Sequence, residues 1–324
     1  MRDRRAAAGG PGAPDRVRVA TWNLYLGADL STLFGPGRSG DFDADLAEVV
    51  RQLTTTGFEH RAPLVARTLV EHGADLVGLQ EVCTWTHEGA VTTDFEALLL
   101  AELAALGEEY DVVTRQASFT GAADLPDALG GGRVTLTGHD VLLVRRDSPV
   151  RVESSHLGTF GRALHLEVMG GHRQTVSRGW CAAHCRVGDD GPPFVVVTTH
   201  TEAHEDAARD RQRDELLAAV GTLAPAGRPV VLVGDLNATP DQVGMPAAWR
   251  DAWVDTGHAT DAPAGWTSGQ SPDLANAESR LHQRIDYVFT RGARAETCTR
   301  VGAEPVGGRW PSDHAGLVAD VRLG

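Results

Sequence analysis

No lysine occurs in the 324 residues, so all 30 basic side chains are arginine. With so much alanine alongside, GC-biased coding accounts for that absence without a functional cause. Cysteine is scarce: Cys83, Cys181, Cys185 and Cys298 contain no CxxC pair, which excludes a zinc knuckle and a dense disulfide framework. Cys181 and Cys185 would lie roughly 13 Å apart in a regular strand, too far to be bridged, although the count leaves room for one disulfide elsewhere. No stretch approaches the roughly 20 apolar residues of a membrane-crossing helix. The opening MRDRRAAAGGPGAP is basic but has no apolar run after it, so no signal peptide is legible. The chain reads as cytoplasmic as it stands, or secreted if an upstream signal was removed.

What is present is the composition of a folded protein, 42% apolar and 23% charged. The formal charge of −14 should repel a polyanion unless local arginines or bound cations offset it. We expect a loose tail over residues 1–15 and one domain over 16–324, because no internal repeat or clean linker is found.

Strands are expected at Val17–Trp22, Asp75–Gln80, Tyr110–Thr114, His139–Val144, Leu164–Val168, Thr175–Val187, Phe194–Thr199, Pro229–Val233, Arg284–Thr290, Arg294–Val301 and Gly316–Arg322. A Met169–His172 turn should join two of them. Apolar residues at three- and four-residue spacing predict helices over Phe58–His72, stopped by Gly73, Asp94–Leu106, and Ala207–Leu223. Residues 27–57 read as a long loop with one or two helical turns, and 117–139 and 258–283 as polar loops. Strands that sometimes alternate with helices and sometimes follow one another point to mixed sheets with helices outside.

The chemistry gathers at strand ends. An apolar strand delivers Asp235 and Asn237 two residues apart, on one face of an extended stretch. A carboxylate and an amide so placed suit the orientation of a water beside a metal; an Asx turn is the plain structural alternative. Glu81 likewise ends the strand Asp75–Gln80, and Asn23 ends Val17–Trp22, where capping or turn roles compete. Asp286 sits between apolar neighbours and needs a partner if buried; His314 in Ser312-Asp313-His314 offers one. His200 ends Phe194–Thr199. His204 lies four residues on, but a zinc pair there lacks an evident third ligand. Arg178, read on a strand before Trp180, is a candidate for phosphate contact or an ordinary hairpin arginine.

Taken in order, Thr21-Trp22-Asn23-Leu24, Leu79-Gln80-Glu81, Thr199-His200, Gly234-Asp235-Leu236-Asn237, Arg284-Ile285-Asp286-Tyr287 and Ser312-Asp313-His314 resemble the motifs of the endonuclease/exonuclease/phosphatase superfamily. It includes DNase I, abasic-site endonucleases, neutral sphingomyelinases and inositol polyphosphate 5-phosphatases. The resemblance runs from residue 17 to 322. It implies an α/β fold, the DNase I-like four-layered sandwich of two packed mixed β-sheets with outer helices. It also implies Mg²⁺, or Mn²⁺ or another hard divalent ion, held by Glu81, Asn23 and Asp313. Asp235 would align or deprotonate water, Asp286 would support His314, and His314, His200 and Asn237 would stabilise the phosphoryl oxygens, with Arg178 a further phosphate contact.

The substrate is less legible. The loops at 27–57, 117–139 and 258–283 carry Arg38, Arg51, Arg133 and Arg280 among more numerous carboxylates, unlike a phosphate-backbone track. They are also too acidic for the inositol-phosphatase branch. Trp249, Trp253 and Trp266 would suit a membrane-contacting aromatic hairpin, but Trp249 and Trp253 have helical spacing and are expected to pack inward. The favoured function is a Mg²⁺-dependent phosphoesterase acting on a phosphodiester or phosphomonoester of a small or lipid-like substrate. The alternatives are a DNase I-like endonuclease or exonuclease, and a non-catalytic binding protein of the same fold.

Overall fold

Alternation along each strand sorts its side chains between two faces, and those faces build the layers. A computed structural model describes residues 15–34, 39–168 and 172–324. The expected tail through Pro14, Arg38 and most of the expected turn (169–171) lie outside them. In chain order the elements are β1 (Arg16–Asn23), α1 (Ser31–Phe34), α2 (Phe42–Thr56), α3 (Phe58–His72), β2 (Leu76–His87), β3 (Ala90–Asp94) and α4 (Phe95–Ala105). A run of strands follows: β4 (Tyr110–Asp124), β5 (Arg133–Arg145), β6 (Val150–Thr159), β7 (Leu164–Val168), β8 (His172–Val176), β9 (Gly179–Val187) and β10 (Pro193–His200). The chain ends with α5 (Asp206–Leu223), β11 (Val230–Asp235), β12 (Arg250–Asp251), α6 (Ala252–Asp255), β13 (Asp286–Arg291), β14 (Arg294–Val301) and β15 (Gly316–Arg322).

One sheet has the order β14-β15-β1-β2-β5-β4-β8-β7, with β3 added to β2; the other has the order β12-β13-β11-β10-β9-β6. Each holds one parallel pair, β1 with β2 and β10 with β11, among antiparallel neighbours. Val17 and Val19 of β1 pack against Phe194, Val196, Val231 and Val233 of the other sheet. The intervening Ala20 and Trp22 face α3 and α4, meeting Val65, Leu69 and Leu99. On the far side Val195, Val197, Val230 and Leu232 bury Leu216 and Val220 of α5. The layers are therefore helix, sheet, sheet, helix, as the resemblance implied. The sheets are in close contact at Gly78, where an added Cβ would lie 2.5 Å from Thr198 Oγ1 and 2.6 Å from Val233 Cγ2.

Several expectations need correction. The stretch 27–57 contains α2, four turns long. Asp41 caps it by accepting from the Asp43 and Ala44 N–H groups, and Leu46 and Val49 are buried. Its Asp and Thr residues look like loop composition, but Asp43, Thr54 and Thr55 form the solvent face, while Asp45 and Thr56 are buried and bond the Ser39 N–H and the Gly27 carbonyl. The 117–139 loop is mostly a long hairpin: β4 and β5 pair from Tyr110–Arg145 out to Asp124–Arg133. β6 was not anticipated. Thr175–Val187 is not one strand. β8 belongs to the first sheet and β9 to the second, so the chain changes sheets at Ser177 and Arg178. Trp249 and Trp253 are buried as expected, but only Trp253 is helical. All four cysteines are buried and free.

Candidate functional site

Both parallel pairs end at one place. Asn23 closes β1, and His200 and Asp235 stand side by side in register at the ends of β10 and β11. Asp286 opens β13 opposite Asp235 on its other flank. A ladder of three strands thus carries His200, Asp235 and Asp286 abreast, at the carboxyl edge where open α/β sheets place their ligands. Gly234 makes this possible: its φ is +148°, and a Cβ there would lie 2.1 Å from the Thr199 carbonyl oxygen.

Glu81 arrives by a different device. Pairing of β2 with β5 slips between Leu79 and Val82, and at that bulge Glu81 has φ +56°. A bulge re-aims a side chain, and here it turns Glu81 into the cleft while β2 runs on to His87 instead of stopping. Tyr25 at φ +57° and Asn237 at φ +46° are likewise left-handed and line the same cleft. Non-glycine residues held so are uncommon, and they cluster at working sites.

The His314 turn is pinned to β1. Trp22 Nε1 donates to the His314 carbonyl at 3.0 Å, and Ser312 Oγ donates to the Asn23 carbonyl at 2.7 Å. Buried Arg61 of α3 donates to the carbonyls of Leu24, Tyr25, Thr56 and Pro311, tying the loop after β1 to the loop before β15.

Within the cleft, Asn23 Nδ2 bridges two carboxylates, 3.2 Å from Glu81 Oε1 and 3.1 Å from Asp235 Oδ2. Its oxygen accepts the Tyr25 N–H. Asp235 Oδ1 accepts the Asn237 N–H at 2.9 Å, and Asn237 Nδ2 donates to the Thr201 carbonyl. His314 Nδ1 meets Asp286 Oδ2 at 2.8 Å, while His200 Nε2 stands 3.5 Å from Asp235 Oδ2. Arg178 Nη1 donates to His200 Nδ1 at 3.0 Å, which assigns the ring proton to Nε2. Asp313 lies on the cleft wall beside Glu81, so the geometry brings every residue singled out in the sequence into one cavity except Asp286, which lies behind His314.

Two buried groups were not singled out. Asp140 on β5 is fully buried, 3.7 Å from His200 Nδ1. A carboxylate leading the apolar run Val141–Val144 was the available signal. Arg61 left no signal, being one arginine among 30.

The two histidines are driven in opposite directions. Burial and then the Arg178 charge push His200 down to about 4. Burial also opposes charge on His314, but Asp286, Asp313 and Asp235 together outweigh it and hold the ring well above the ordinary histidine range. Burial lifts Asp140 to about 7 against the pull of Arg178. Burial, reinforced by the Glu81 charge, lifts Asp313 to about 7. Environments that separate two like groups in this way assign acid and neutral roles.

The sign for stability follows. An unfolded His200 takes up a proton below about 6.5, whereas the folded one resists until about 4. Folding is therefore weakened as the pH falls through that window. In urea titrations, His200→Gln is expected to lose less stability than wild type between pH 7.5 and pH 5, by about 2 kcal/mol. Equal losses would refute a neutral His200.

Asp235, Asp286 and His314 offer ligand atoms within 4.8 Å of one another and can hold a metal. The His314 Nδ1–Asp286 contact already occupies that face of the ring, however. Glu81 and Asp313 also line the cavity and add two further carboxylates to it.

The sequence profile of the Endonuclease/Exonuclease/phosphatase family matches residues 20–314. No curated protein matches the sequence. Among solved structures, an endonuclease/exonuclease/phosphatase family protein from Bacteroides thetaiotaomicron is 17% identical, with a TM-score of 0.63 over 95% of this chain and 98% of that one. A mannosyl-6-phosphatase from the same species is 18% identical, with a TM-score of 0.62 over 94% and 99%. TDP2 from D. rerio, complexed with single strand DNA product, is 16% identical, with a TM-score of 0.55 over 95% and 99%. At such identities the likeness is one of fold.

Proposed function

Because the chain belongs to the endonuclease/exonuclease/phosphatase family, we propose that its cleft is that of a divalent-metal-dependent phosphoesterase for a substrate with an apolar portion. The observation that carries the reading is Asp235. It is held between neutral His200 and His314, which is paired with Asp286, with Asn23 joining it to Glu81.

The donor set fits Mg²⁺ or a similar hard ion. Glu81 and Asp313 present carboxylate oxygens, the ligands such cations take. Burial, with the Glu81 charge beside it, lifts Asp313, and a divalent cation bound there would favour its charged form. Asn23 bridges Glu81 and Asp235 through Nδ2, and its amide oxygen, which accepts the Tyr25 N–H, keeps a second lone pair with which it would join the ligand set. The bound ion would supply positive charge against a non-bridging phosphate oxygen. Asp235 would orient the attacking water and accept its proton as the new P–O bond forms and the ester P–O bond breaks. His314, with Nδ1 committed to Asp286, keeps Nε2–H for a phosphoryl oxygen. Asn237, His200 and Arg178 would add donors around the same charge.

The walls support the choice of substrate. Opposite the catalytic residues the cleft is apolar, with Leu26, Leu30, Phe34, Phe119 and Leu136. Leu30, Phe34, Phe119 and Leu136 also border a groove of about 200 Å³ between α2 and the β4–β5 hairpin, lined further by Val50, Leu53, Trp85 and Leu125. Of the described loop arginines, Arg51 pairs with Glu48 at 2.6 Å and Arg133 with Asp124 at 3.0 Å, so two of the three are engaged with carboxylates.

The test is a Mg²⁺-dependent panel of p-nitrophenyl phosphate, bis(p-nitrophenyl) phosphate, sphingomyelin, plasmid DNA and p-nitrophenyl alkyl phosphodiesters from methyl to octyl. We expect kcat/KM to rise with alkyl length, by up to roughly fourfold per methylene fully buried, from about 0.8 kcal/mol each. Val50→Asp should flatten that rise and leave the methyl ester unchanged. Rapid DNA cleavage with no chain-length dependence would overturn the reading.

A further inference from the structure

On the outer edge of the second sheet, far from the cleft, two histidines and a serine converge. Ser154 and His156 lie on edge strand β6 and His184 on its neighbour β9. Pairing slips between Val152 and Ser154 and then sets Ser154 opposite His184, so all three side chains share one face. His156 Nε2 stands 3.2 Å from His184 Nδ1, and Ser154 Oγ is 3.2 Å and 3.0 Å from those same nitrogens. We propose that this triangle is a binding site for a transition-metal ion of the zinc, copper or nickel type, separate from the catalytic cleft.

Four features support it. The spacing suits chelation: an ion 2.0–2.1 Å from each nitrogen would see two nitrogens 3.2 Å apart at an angle of about 100°. That lies between square and tetrahedral geometry. The ring centroids are 4.9 Å apart with planes at 80°. This is too close for two rings pointing nitrogen to nitrogen in line, so the rings meet at an angle, as two ligands of one ion do. His184 is also oriented as a ligand: Nε2 donates to the Leu223 carbonyl at 2.8 Å, which leaves Nδ1 as the free lone pair. Metal-binding histidines commonly carry such a partner on the second nitrogen. Finally, Leu223 is the last residue of the 18-residue helix α5, whose C-terminal end favours positive charge.

Imidazole nitrogens select zinc, copper and nickel over the magnesium suited to the cleft's carboxylates. The two sites therefore differ in ligand chemistry. They also differ in place, since His184 is five residues along β9 from Gly179, the partner of His200, or roughly 17 Å of strand. An ion there would fasten β6, the last strand of its sheet, to β9.

Calorimetric titration of the full chain with Zn²⁺, and separately Ni²⁺, in excess Mg²⁺ tests the proposal. Wild type is expected to bind one equivalent more than His156→Ala or His184→Gln. The glutamine keeps a donor for the Leu223 carbonyl, so the sheet edge is retained. Zn²⁺ should raise the melting temperature of wild type more than that of either variant. Mg²⁺-dependent phosphoesterase turnover should be unchanged by both substitutions. Identical stoichiometry and affinity in wild type and the His156→Ala/His184→Gln double variant would overturn the site, and the cluster would then be a hydrogen-bonded trio only.

Discussion

Replacing Asp235 with asparagine is expected to lower kcat by about 10³-fold, the range of a lost general base, while the chain stays folded. The substitution keeps shape and burial. Its amide oxygen can still accept the Asn237 N–H, but its nitrogen then faces Asn23 Nδ2, where a carboxylate oxygen now sits. That mismatch should cost about 1 kcal/mol, too little to unfold the protein. The check is single-turnover kinetics on the best diester of the panel beside a thermal melt. His314→Ala should cause a loss of similar size, because the imidazole and its Asp286 partner act as one unit. Undiminished turnover in folded Asp235→Asn would remove Asp235 from the chemistry, and with it the reading of the cleft as a hydrolase.

Arg61→Met should produce the largest loss of stability, about 4 kcal/mol, or roughly 6 °C in Tm for a domain of this size. The guanidinium is buried among Phe58, Phe95 and Tyr25 and is pushed down to about 10 by that burial, yet among the described residues no carboxylate is bonded to it. Backbone carbonyls fill its shell, and methionine would leave those of Leu24, Tyr25, Thr56 and Pro311 without a donor. Because two of those carbonyls flank the cleft loops, kcat should fall as well. Arg61→Lys should recover only part of both losses, since an ammonium cannot span four acceptors in a planar fork. A variant with wild-type melting and turnover would show that the loops hold themselves.

Much of the architecture was legible because local rules and tertiary burial agreed. The helix Phe58–His72 ends at Gly73, whose φ of 61° is the left-handed cap that glycine provides. β14 and β15 run over the residues expected from their alternation. The errors came where composition and burial disagreed. α2 carries Phe42, Leu46, Val49, Val50 and Leu53 at helical spacing, but that stripe is set among the Asp and Thr residues at its two ends, so its composition pointed to a loop. The β4–β5 hairpin is rich in glycine and exposed along much of its length, so only its cross-strand pairing shows it to be regular.

By itself the sequence determined which side chains stand at strand ends: Asn23, His200, Asp235 and the carboxylate of Glu81 next to a buried run. Period-two alternation and the place where it stops are local properties, so they can be read from a single chain. The tertiary structure alone decided that these ends meet. Asn23 and Asp235 belong to different sheets and are 212 residues apart, yet they share a hydrogen bond of 3.1 Å. The bulge that turns Glu81, the sheet change at Arg178, the burial of Asp140 and the carbonyl shell of Arg61 are of the same kind. Each depends on what packs against the residue from distant segments, and a periodicity in one segment carries no record of that.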